Sequence, residues 1–372
     1  MIILNDIKYS GKARTSTASI NNKEIRTPFF MPVATKAAAR HLTIKDLRDA
    51  DVDAVIVNSM LLSLKPGKLF VNNCGGIHKF MGFNRVIFAD SGGFQVMRPF
   101  FKSINNNEIE FYSPYDKSVH KITPEKCIDN QFLIDSDVAM VLDHMPLFNA
   151  TKENVVESMQ RTFEWAKIQK KYHDELKKQM DTQQNLFGII QGGYDLELRK
   201  QALSDITSLD FDGYALGGLA IGETREEMNK VFHEIIHMMP DNKLRYIMGV
   251  GHPIDILTAI ENGADCFDSV YPTQIARHNH ILTNQGIIKI TQSQYKDDQK
   301  PLDENCDCYV CKNFSRAYIR FITKIDEPIA YQMKSYHNVY WMMNFMKKIR
   351  DAIFENNFDE LKKKYLDILD KN

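Results

Sequence analysis

Val86-Ile87-Phe88-Ala89-Asp90-Ser91-Gly92-Gly93 is an apolar run that ends in an acidic residue and a pair of glycines. Its apolar residues are continuous rather than alternating, which is typical of a strand buried on both faces of a parallel sheet. Seven further runs share this design, and each closes in a polar or glycine-rich end. They cover residues 28–35, 54–58, 138–143, 185–191, 213–219, 245–251 and 266–270.

The segments between several of these runs have helical character. Apolar residues recur at every third and fourth position in residues 151–178, 224–239 and 253–262. Eight strands joined by crossover helices predict an α/β fold, a closed (β/α)8 TIM-type barrel. A doubly wound open sheet is the competing architecture, but no Gly-x-Gly-x-x-Gly turn follows the first strand.

A cysteine cluster, Cys306, Cys308 and Cys311, is followed by His337 at a spacing typical of metal ligands. Three thiols and one imidazole complete the tetrahedral set of a structural zinc site, so we expect one Zn²⁺ per subunit and chemistry elsewhere in the chain. We therefore divide the chain into a barrel catalytic domain with N-terminal strands (1–300), an inserted zinc-binding subdomain (301–340) and C-terminal helices packing on the barrel (341–372).

Composition restricts the class of protein only weakly. The chain has 372 residues, 44% of them hydrophobic, and 47 basic against 48 acidic residues give a net charge of −1. No overall positive field indicates a nucleic-acid partner, although a local basic patch is compatible with this balance. The N-terminus lacks a signal-peptide pattern, no segment reaches the length of a membrane span, and Cys74, Cys127 and Cys266 are scattered like free thiols. We expect a cytoplasmic protein without a membrane partner.

Polar residues gather at the ends of the predicted strands, where barrel enzymes have their active sites. Each of them alone is also typical of a strand terminator or a helix N-cap, but their convergence at one rim predicts a functional site. These residues are Asn58, Asp90, Asp143, Gln191, Gly217, Gly218 and Asp268.

The residues after Asp90 are suited to a flat ligand. Gly92 and Gly93 let the backbone approach a ligand, and Phe94 offers a surface for stacking. Asp143 provides acceptors and Gln191 an acceptor with a donor pair, which fits the mixed edge of a purine. The paired glycines at 192–193 and 217–218 either expose backbone amides to a ligand carbonyl or allow tight packing at the rim.

Six motifs in this order resemble the tRNA-guanine transglycosylases, in their bacterial-type short form, the queuine tRNA-ribosyltransferase family. They are residues 90–95, 188–193, 215–223, 246–251 and 267–273 and the cysteine cluster. The resemblance implies a zinc-containing barrel enzyme that exchanges guanine at the wobble position of tRNAs with a guanosine-uridine sequence for a 7-deazaguanine base in queuosine biosynthesis. It also implies a homodimer.

The resemblance assigns roles to residues of this chain. Asp268 matches the nucleophile that attacks the ribose and forms a covalent RNA intermediate, and Asp90 matches the general acid/base. The residues that match the base-binding set, with Phe94 and Met248 sandwiching the ring, are Ser91, Gly92, Gly93, Phe94, Asp143, Gln191, Gly217, Gly218, Leu219 and Met248. The residues that match the RNA-handling segments are Gly249, Val250, Gly251, His252, Pro253, Ile254, Asp255, Thr273, Gln274, Ile275, Ala276 and Arg277.

The chain departs from the family pattern at several positions. His144-Met145 replaces a Glu-Cys pair beside Asp143, and Ile221 stands where valine or glycine is usual. A bulky Ile221 disfavours the large queuine side group, whereas the retained Glu223 suits an aminomethyl cation. Two further departures concern the tRNA contacts: Ser59-Met60-Leu61 replaces Thr-Tyr-His, and Gln274 replaces a common arginine.

The sequence therefore predicts an active pentosyltransferase that inserts a small base, most simply 7-aminomethyl-7-deazaguanine. Two related alternatives are a queuine-salvaging transglycosylase and a noncatalytic RNA-binding paralogue that serves as a partner subunit. A barrel hydrolase or lyase with a catalytic zinc is a third alternative, which the filled ligand set disfavours.

Overall fold

The computed structural model describes residues 2–97 and 99–369. The strands are, in chain order, β1 (Ile3–Ser10), β2 (Ala13–Ile20), β3 (Lys23–Thr27), β4 (Phe29–Pro32), β5 (Ala54–Asn58), β6 (Val86–Asp90), β7 (Phe101–Ile104), β8 (Ile109–Tyr112), β9 (Val119–Ile122), β10 (Val138–Met140), β11 (Asn185–Ile190), β12 (Gly213–Leu216), β13 (Leu244–Ile247), β14 (Cys266–Ser269), β15 (His280–Thr283) and β16 (Gly286–Lys289).

The α-helices are α1 (Ile44–Asp49), α2 (Ser59–Leu62), α3 (Lys68–Asn73), α4 (Gly76–Met81), α5 (Gly93–Met97), α6 (Pro124–Ile134), α7 (Lys152–Met180), α8 (Leu196–Thr207), α9 (Arg225–Ile235), α10 (Pro253–Glu261), α11 (Tyr271–Arg277), α12 (Tyr309–Asn313), α13 (Arg316–Lys324), α14 (Pro328–Phe354) and α15 (Phe358–Leu369). A kinked helical turn, Ser63–Gly67, joins α2 to α3.

Eight parallel strands form a single sheet in the order β4-β14-β13-β12-β11-β10-β6-β5. A parallel bridge between Val33 and Ile56 brings the two outer strands together and closes the sheet into a barrel. The predicted (β/α)8 architecture is thereby confirmed, and the continuous apolar runs are its strands, because both of their faces are buried.

Most strands end before the polar residues that close the predicted runs. β10 ends at Met140, β12 at Leu216 and β13 at Ile247, so the following polar and glycine residues form loops at the carboxyl rim. Three strands keep their polar residues inside the sheet: Asn58 at the end of β5 pairs with Asp90 at the end of β6, and Asp268 lies within β14, opposite Met31 of β4. The rim is therefore built from backbone that has left the sheet and is free to face a ligand.

Aromatic side chains fill the barrel interior. The ring of Phe88 packs edge-on against Phe187 at a centroid distance of 5.6 Å and against Tyr246 at 6.0 Å. Edge-to-face contacts of this kind fix ring orientation more tightly than aliphatic packing does. The Tyr246 hydroxyl is consequently held in a defined direction within the barrel.

Three small sheets decorate the barrel. Strands β1 to β3 form an antiparallel sheet, which buried Arg14 ties to Asp265 at the amino end of β14. Strands β7 to β9 form a second antiparallel sheet inserted between β6 and β10, and β15 with β16 forms a hairpin. The sequence did not predict the β7–β9 insertion.

Helix α14 runs unbroken from Pro328 to Phe354 across the predicted boundary at residue 340. The division into three domains stays a prediction, and its last three residues, 370–372, lie outside the described part of the chain. Within residues 2–97 and 99–369, no helix is both long and apolar enough to span a membrane.

Candidate active site

A cavity of about 480 Å³ opens at the carboxyl rim of the barrel. Loops and strand ends from around the barrel contribute to its wall. Among the residues that line it are Asn58, Asp90, Phe94, Asp143, Met145, Gln191, Gly217, Gly218, Leu219, Ile221, Tyr246, Met248, Gly249, Asp268 and Gln274. The polar residues that close separate strands in the sequence thus converge on one space.

Asp90, at the end of β6, sits in a buried environment that favours its protonated form. The Asn58 amide donates to its Oδ2 at 3.0 Å, and the Gly92 N–H donates to the same oxygen at 3.1 Å. Burial raises the pKa of Asp90 to about 7, with further contributions from the negative charges of Asp143 and Asp268. A carboxyl group with this pKa can both give and accept a proton near neutral pH.

Asp268, on β14, accepts two directed hydrogen bonds at one oxygen. The Tyr246 hydroxyl donates to Oδ1 at 2.6 Å and the Gly249 N–H donates at 2.8 Å. Burial raises the pKa of Asp268, and these two donors oppose that shift by stabilising the carboxylate. The two aspartates therefore face one cavity with different hydrogen-bond partners.

Gln191 and Asp143 form a polar floor beside the aspartates. The Gln191 amide nitrogen donates to Asp143 Oδ2, and the Gln191 Oε1 is buried without a hydrogen-bond partner among the described residues. A Cβ atom at Gly217 or at Gly218 would lie 2.6 Å from the Gln191 side chain, so both positions require glycine. A buried acceptor without a partner is costly, which indicates that a ligand donor meets Gln191.

The metal cluster lies apart from this cavity. The ligand atoms of Cys306, Cys308, Cys311 and His337 all lie within 4.8 Å of one another, with Sγ–Nδ1 distances of 3.2 to 3.9 Å. A tetrahedron with zinc–ligand bonds of about 2.0–2.3 Å has edges of about 3.3–3.8 Å, so the four side chains fit a metal ion. His337 Nε2 lies 2.9 Å from the Leu282 carbonyl, where its N–H donates and leaves Nδ1 facing the thiols.

Comparison with known proteins matches nearly the whole chain to one family. A family model described as queuine tRNA-ribosyltransferase matches residues 8–371. The queuine tRNA-ribosyltransferase of Fusobacterium nucleatum is 42% identical over 359 residues, which cover 96% of this chain and 95% of the relative. The chain belongs to the queuine tRNA-ribosyltransferase family.

Two further relatives with the same name align over similar lengths. The protein of Thermodesulfovibrio yellowstonii is 41% identical over 367 residues, covering 98% of this chain and 95% of the relative. That of Francisella tularensis is 39% identical over 361 residues, covering 97% of both chains. Members of the family are transferases that act on tRNA guanosine, so the resemblance found in the sequence is confirmed at the level of the family and the enzyme class.

Buried Arg199 supports the cavity wall, and the sequence reasoning missed it. Its guanidinium donates to the carbonyl oxygens of Ile190 at 2.8 Å, Gly193 at 2.7 Å and Gly217 at 2.9 Å. One side chain from α8 thus holds the loops that follow β11 and β12 around Gln191. An arginine at the start of a helix behind a glycine pair was the available signal.

Glu223 contacts its own loop rather than the cavity. Its carboxylate accepts from the N–H groups of Ala220, Ile221 and Gly222 and from the Tyr194 hydroxyl at 2.8 Å. Because C=O and N–H point in opposite directions across a trans peptide, the Leu219 carbonyl faces away from Glu223. Leu219 lines the cavity, and its oxygen lies toward Gly249.

Some predicted substrate residues lie behind the cavity wall. Ser91 and Gly93 form a turn in which the Ser91 Oγ accepts from the Gly93 N–H at 3.3 Å. Gly92 has a φ of +91°, and a Cβ there would lie 2.6 Å from Met60. In this structure the three residues position Asp90 and Phe94.

The predicted RNA-binding residues differ in how far they reach the cavity or the surface of the rim. Gly249 and Gln274 line the cavity, whereas the side chains of Val250, Pro253, Ile254, Thr273 and Ala276 are buried. Gly251 is buried against Ser269, and Asp255 is paired with Arg225 at 2.6 Å. His252 caps α10, and Ile275 and Arg277 are half-buried. Most of these residues shape the rim, and few present side chains at its surface.

Proposed function

We propose that this chain exchanges guanine in tRNA for a 7-deazaguanine through a covalent aspartyl–ribose intermediate, with Asp268 as the nucleophile and Asp90 as the proton carrier. One observation carries the proposal: two carboxylates share one cavity but have different partners. Tyr246 and Gly249 stabilise the anion of Asp268, whereas Asp90 has a pKa of about 7. Such a pair matches the separation of roles in enzymes that retain configuration at a sugar carbon.

The steps balance without a redox partner. The Asp268 carboxylate forms a bond to the ribose C1′ while the C1′–N9 bond breaks, and Asp90 gives its proton to the departing guanine. The incoming base then loses its N9 proton to Asp90 and attacks C1′, which releases Asp268. Only bonds at C1′ are made and broken, so the phosphodiester bonds of the RNA stay intact, and the covalent intermediate conserves the energy of the glycosidic bond.

The polar floor supports recognition of a guanine-like edge. The unpartnered Gln191 Oε1 and the Asp143 carboxylate are acceptors for ring and amino N–H groups, and glycines at 217 and 218 leave room for a carbonyl oxygen. Phe94 and Met248 line the same cavity and suit the two faces of the ring.

The 7-aminomethyl form of the base is our choice of incoming substrate. The Glu223 loop turns the Leu219 carbonyl away from the Glu223 carboxylate, and a carbonyl that lines the cavity is an acceptor for an ammonium group. The Ile221 side chain narrows the same wall, which disfavours a large ring substituent. Glu223 acts in this proposal by orienting the loop, since four donors already occupy its oxygens.

The partner in this proposal is tRNA with a guanosine-uridine wobble sequence, bound across the rim by the segments around Gly249 and Gln274. Positive charges near this rim support it. Arg40 is exposed and Arg277 is half-buried, and the pKa of Arg277 is lowered by burial and by the nearby charge of Arg40. Two neighbouring arginines at a rim are suited to bind the phosphates of an RNA backbone.

We assign zinc to the cysteine cluster, on its ligand chemistry. When bound, it supplies structural cross-linking, because all four positions are taken by protein ligands. Asn338, the residue after His337, donates to the Pro272 and His280 carbonyls at 3.0 Å each. The cluster would thereby fix α14 against α11, close to Asp268.

A homodimer in the cytoplasm completes the proposal. Three helices carry exposed aromatic side chains: Phe70 on α3, Phe80 on α4 and Phe321 on α13. The buried hydrophobic residues of these three helices belong to the same hydrophobic core cluster. Exposed aromatic residues are enriched at interfaces. Sedimentation of the purified protein measures its oligomeric state. The variant Phe321→Glu is expected to shift the equilibrium from dimer toward monomer.

Covalent trapping tests the central proposal. The wild type, Asp268→Asn and the surface control Asp210→Asn are mixed with an anticodon stem-loop and 9-deazaguanine, and intact masses are measured under denaturing conditions. We expect a protein–RNA adduct in the wild type and the control, and none in Asp268→Asn. An adduct that persists in Asp268→Asn would refute the assigned nucleophile, and no adduct with any stem-loop would favour a noncatalytic RNA-binding subunit.

A further inference from the structure

A second cleft, of about 470 Å³, lies beside the active-site cavity and is not used by the chemistry above. It is enclosed by α2, the kinked turn Ser63–Gly67, the inserted β7–β9 sheet and α6. Its lining residues include Met60, Lys65, Lys68, Tyr115, Lys126 and Asn130. Asn58, which lines the active-site cavity, caps α2, and Met60 of α2 lines this cleft, so residues two positions apart line the two spaces.

The cleft carries an excess of positive charge. Lys65, Lys68 and Lys126 line it, and Lys36 lies at its edge; none of the four forms an ion pair with any residue the structure describes. Lys121 also lines the cleft, but its ammonium group is held between Glu108 and Glu110. Asp116 is the one acid in the lining. The Lys126 ammonium group donates to the Lys121 carbonyl at 2.8 Å, which leaves its charge unneutralised. Four ammonium groups without a carboxylate partner among the described residues, against the single acid Asp116, make a local field that attracts phosphate.

Tyr115 fixes two of these lysines in place. The Nζ of Lys36 lies 5.2 Å from the centre of its ring and the Nζ of Lys65 lies 5.5 Å away. Lys36 follows strand β4 and Lys65 follows β5, so the tyrosine joins two neighbouring rim loops. A cation held over an aromatic ring keeps its remaining donors directed outward, and two such groups form a preorganised anion site.

The floor of the cleft adds an acceptor. Asn130 is 3% exposed, and its Oδ1 has no hydrogen-bond partner in the described part of the chain. Phosphate offers no donor for this oxygen, whereas the ribose 2′-hydroxyl and base amino groups do. The combination of cations with a buried acceptor fits RNA better than a free inorganic anion.

The position of the cleft relative to the active site supports one occupant. The residue before Lys36, Thr35, lines the active-site cavity, and Arg40 lies five residues along the same loop, near Arg277. The cations therefore continue from Arg277, past the mouth of the cavity, to Lys68. A strand of RNA that enters the cavity at one nucleotide has flanking phosphates on both sides of it.

We propose that the Lys36–Lys65–Lys68 cleft is a second tRNA-binding surface, which holds backbone phosphates flanking the exchanged nucleotide on the side opposite Arg277. The inference rests on the proposed tRNA exchange and adds to it a docking site on the β7–β9 insertion. Tyr115 is a positioning residue, since it acts on RNA through the two lysines that it orients.

Salt-dependent binding tests the proposal separately from catalysis. The dissociation constant of a fluorescent anticodon stem-loop is measured by anisotropy over a range of salt concentrations for the wild type and for the triple variant Lys36→Ala/Lys65→Ala/Lys68→Ala. We expect about tenfold weaker binding and a log–log salt slope smaller by about 2, since each lost phosphate contact removes about 0.7–0.9. The KM for the stem-loop should rise in parallel, while the KM for guanine should change less than twofold.

Three exposed lysines at the opposite end of the molecule provide the matched control. Lys12 lies in the turn between β1 and β2, and Lys171 and Lys178 lie in the second half of α7. Their triple alanine variant removes the same net charge and is expected to bind the stem-loop as the wild type does, with the same slope. Tyr115→Leu should weaken binding of the stem-loop, whereas Tyr115→Phe, which keeps the ring, should bind it as the wild type does.

Two outcomes would overturn the proposal. One is an unchanged dissociation constant and salt slope in the cleft variant, which would show that the cleft does not bind RNA and would favour an acidic protein as its partner. The other is an equal loss of affinity in the control variant, which would reduce the effect to net charge. Absence of guanine exchange in the wild type would instead count against the proposed function, and the binding measurement separates the two.

Discussion

At the scale of single residues, the proposed active site contains two aspartates whose surroundings differ. Asp90 accepts from an asparagine and a backbone N–H, and Asp268 accepts from a tyrosine and a backbone N–H. Strand-end patterns and motifs predicted both carboxylates. Their partners were harder to predict, because Asn58 meets Asp90 only through the register of β5 and β6, and the direction of the Tyr246 hydroxyl depends on its packing against Phe88.

The pKa of Asp90, about 7, predicts a pH profile. In the proposed mechanism the protonated form of Asp90 expels guanine, so kcat/KM for tRNA should fall as pH rises through about 7. Asn58 donates to the Asp90 carboxylate and lowers its pKa, so Asn58→Ser, which keeps a hydroxyl for the α2 cap, should move this fall to higher pH. Asp90→Asn should lower kcat by about 10² or more. A profile that is unchanged in Asn58→Ser would assign the titration to another group, such as Asp143.

The Tyr246 hydroxyl predicts a second effect on chemistry. Tyr246→Phe removes one of the two donors to Asp268 Oδ1 without changing the packed ring, so the pKa of Asp268 should rise and less carboxylate should be available. We expect adduct formation to slow by about tenfold or more, measured by quenched-flow trapping. The exposed Tyr9→Phe variant is the control, and equal rates in both would leave the Tyr246 hydroxyl without a catalytic part.

At the scale of elements, the rim loops are held by side chains that the primary pattern does not reveal. Continuous apolar runs predicted all eight barrel strands, because burial on both faces leaves a strong compositional signal. The β7–β9 insertion gave a weak signal, because its three strands have four residues each and few of these residues are buried. In Ile109–Tyr112, for example, the half-buried Glu110 separates the two buried residues. The loops around Gln191 likewise depend on one side chain, Arg199, whose three carbonyl contacts the sequence pattern does not reveal.

Arg199 predicts the stability of that arrangement. Arg199→Met would leave the carbonyl oxygens of Ile190, Gly193 and Gly217 buried without this donor, at about 1–3 kcal/mol each in the worst case. Arg199→Met also removes a buried charge, and the desolvation cost saved offsets part of the destabilisation. We therefore expect the free energy of unfolding in urea to fall by about 3 kcal/mol. The KM for guanine should also rise. Lys200→Met, one residue along α8 and partly exposed, should stay within about 0.5 kcal/mol of the wild type.

At the scale of the whole molecule, α14 connects the metal cluster to the catalytic rim. His337 faces the three thiols and donates to the Leu282 carbonyl of β15, while Asn338 accepts from the Leu282 N–H and donates to the Pro272 carbonyl of α11. Helix α11 follows β14, which carries Asp268. A bound metal would therefore stabilise a chain of contacts that ends at the proposed RNA-handling segment, although the described residues that line the active-site cavity include none of the four candidate ligands.

This connection predicts that metal loss affects RNA binding more than base binding. Cys308→Ser should remove about one zinc per chain by elemental analysis, lower the thermal midpoint and weaken stem-loop binding, because α14 no longer holds α11 firmly. Guanine binding should change much less, since its cavity lies on the barrel rim itself. Cys74→Ser, at an exposed free cysteine, should keep both zinc and affinity. Loss of zinc with unchanged affinity for the stem-loop would confine the cluster to a local staple, and loss of guanine binding to the same degree would indicate that the whole barrel depends on it.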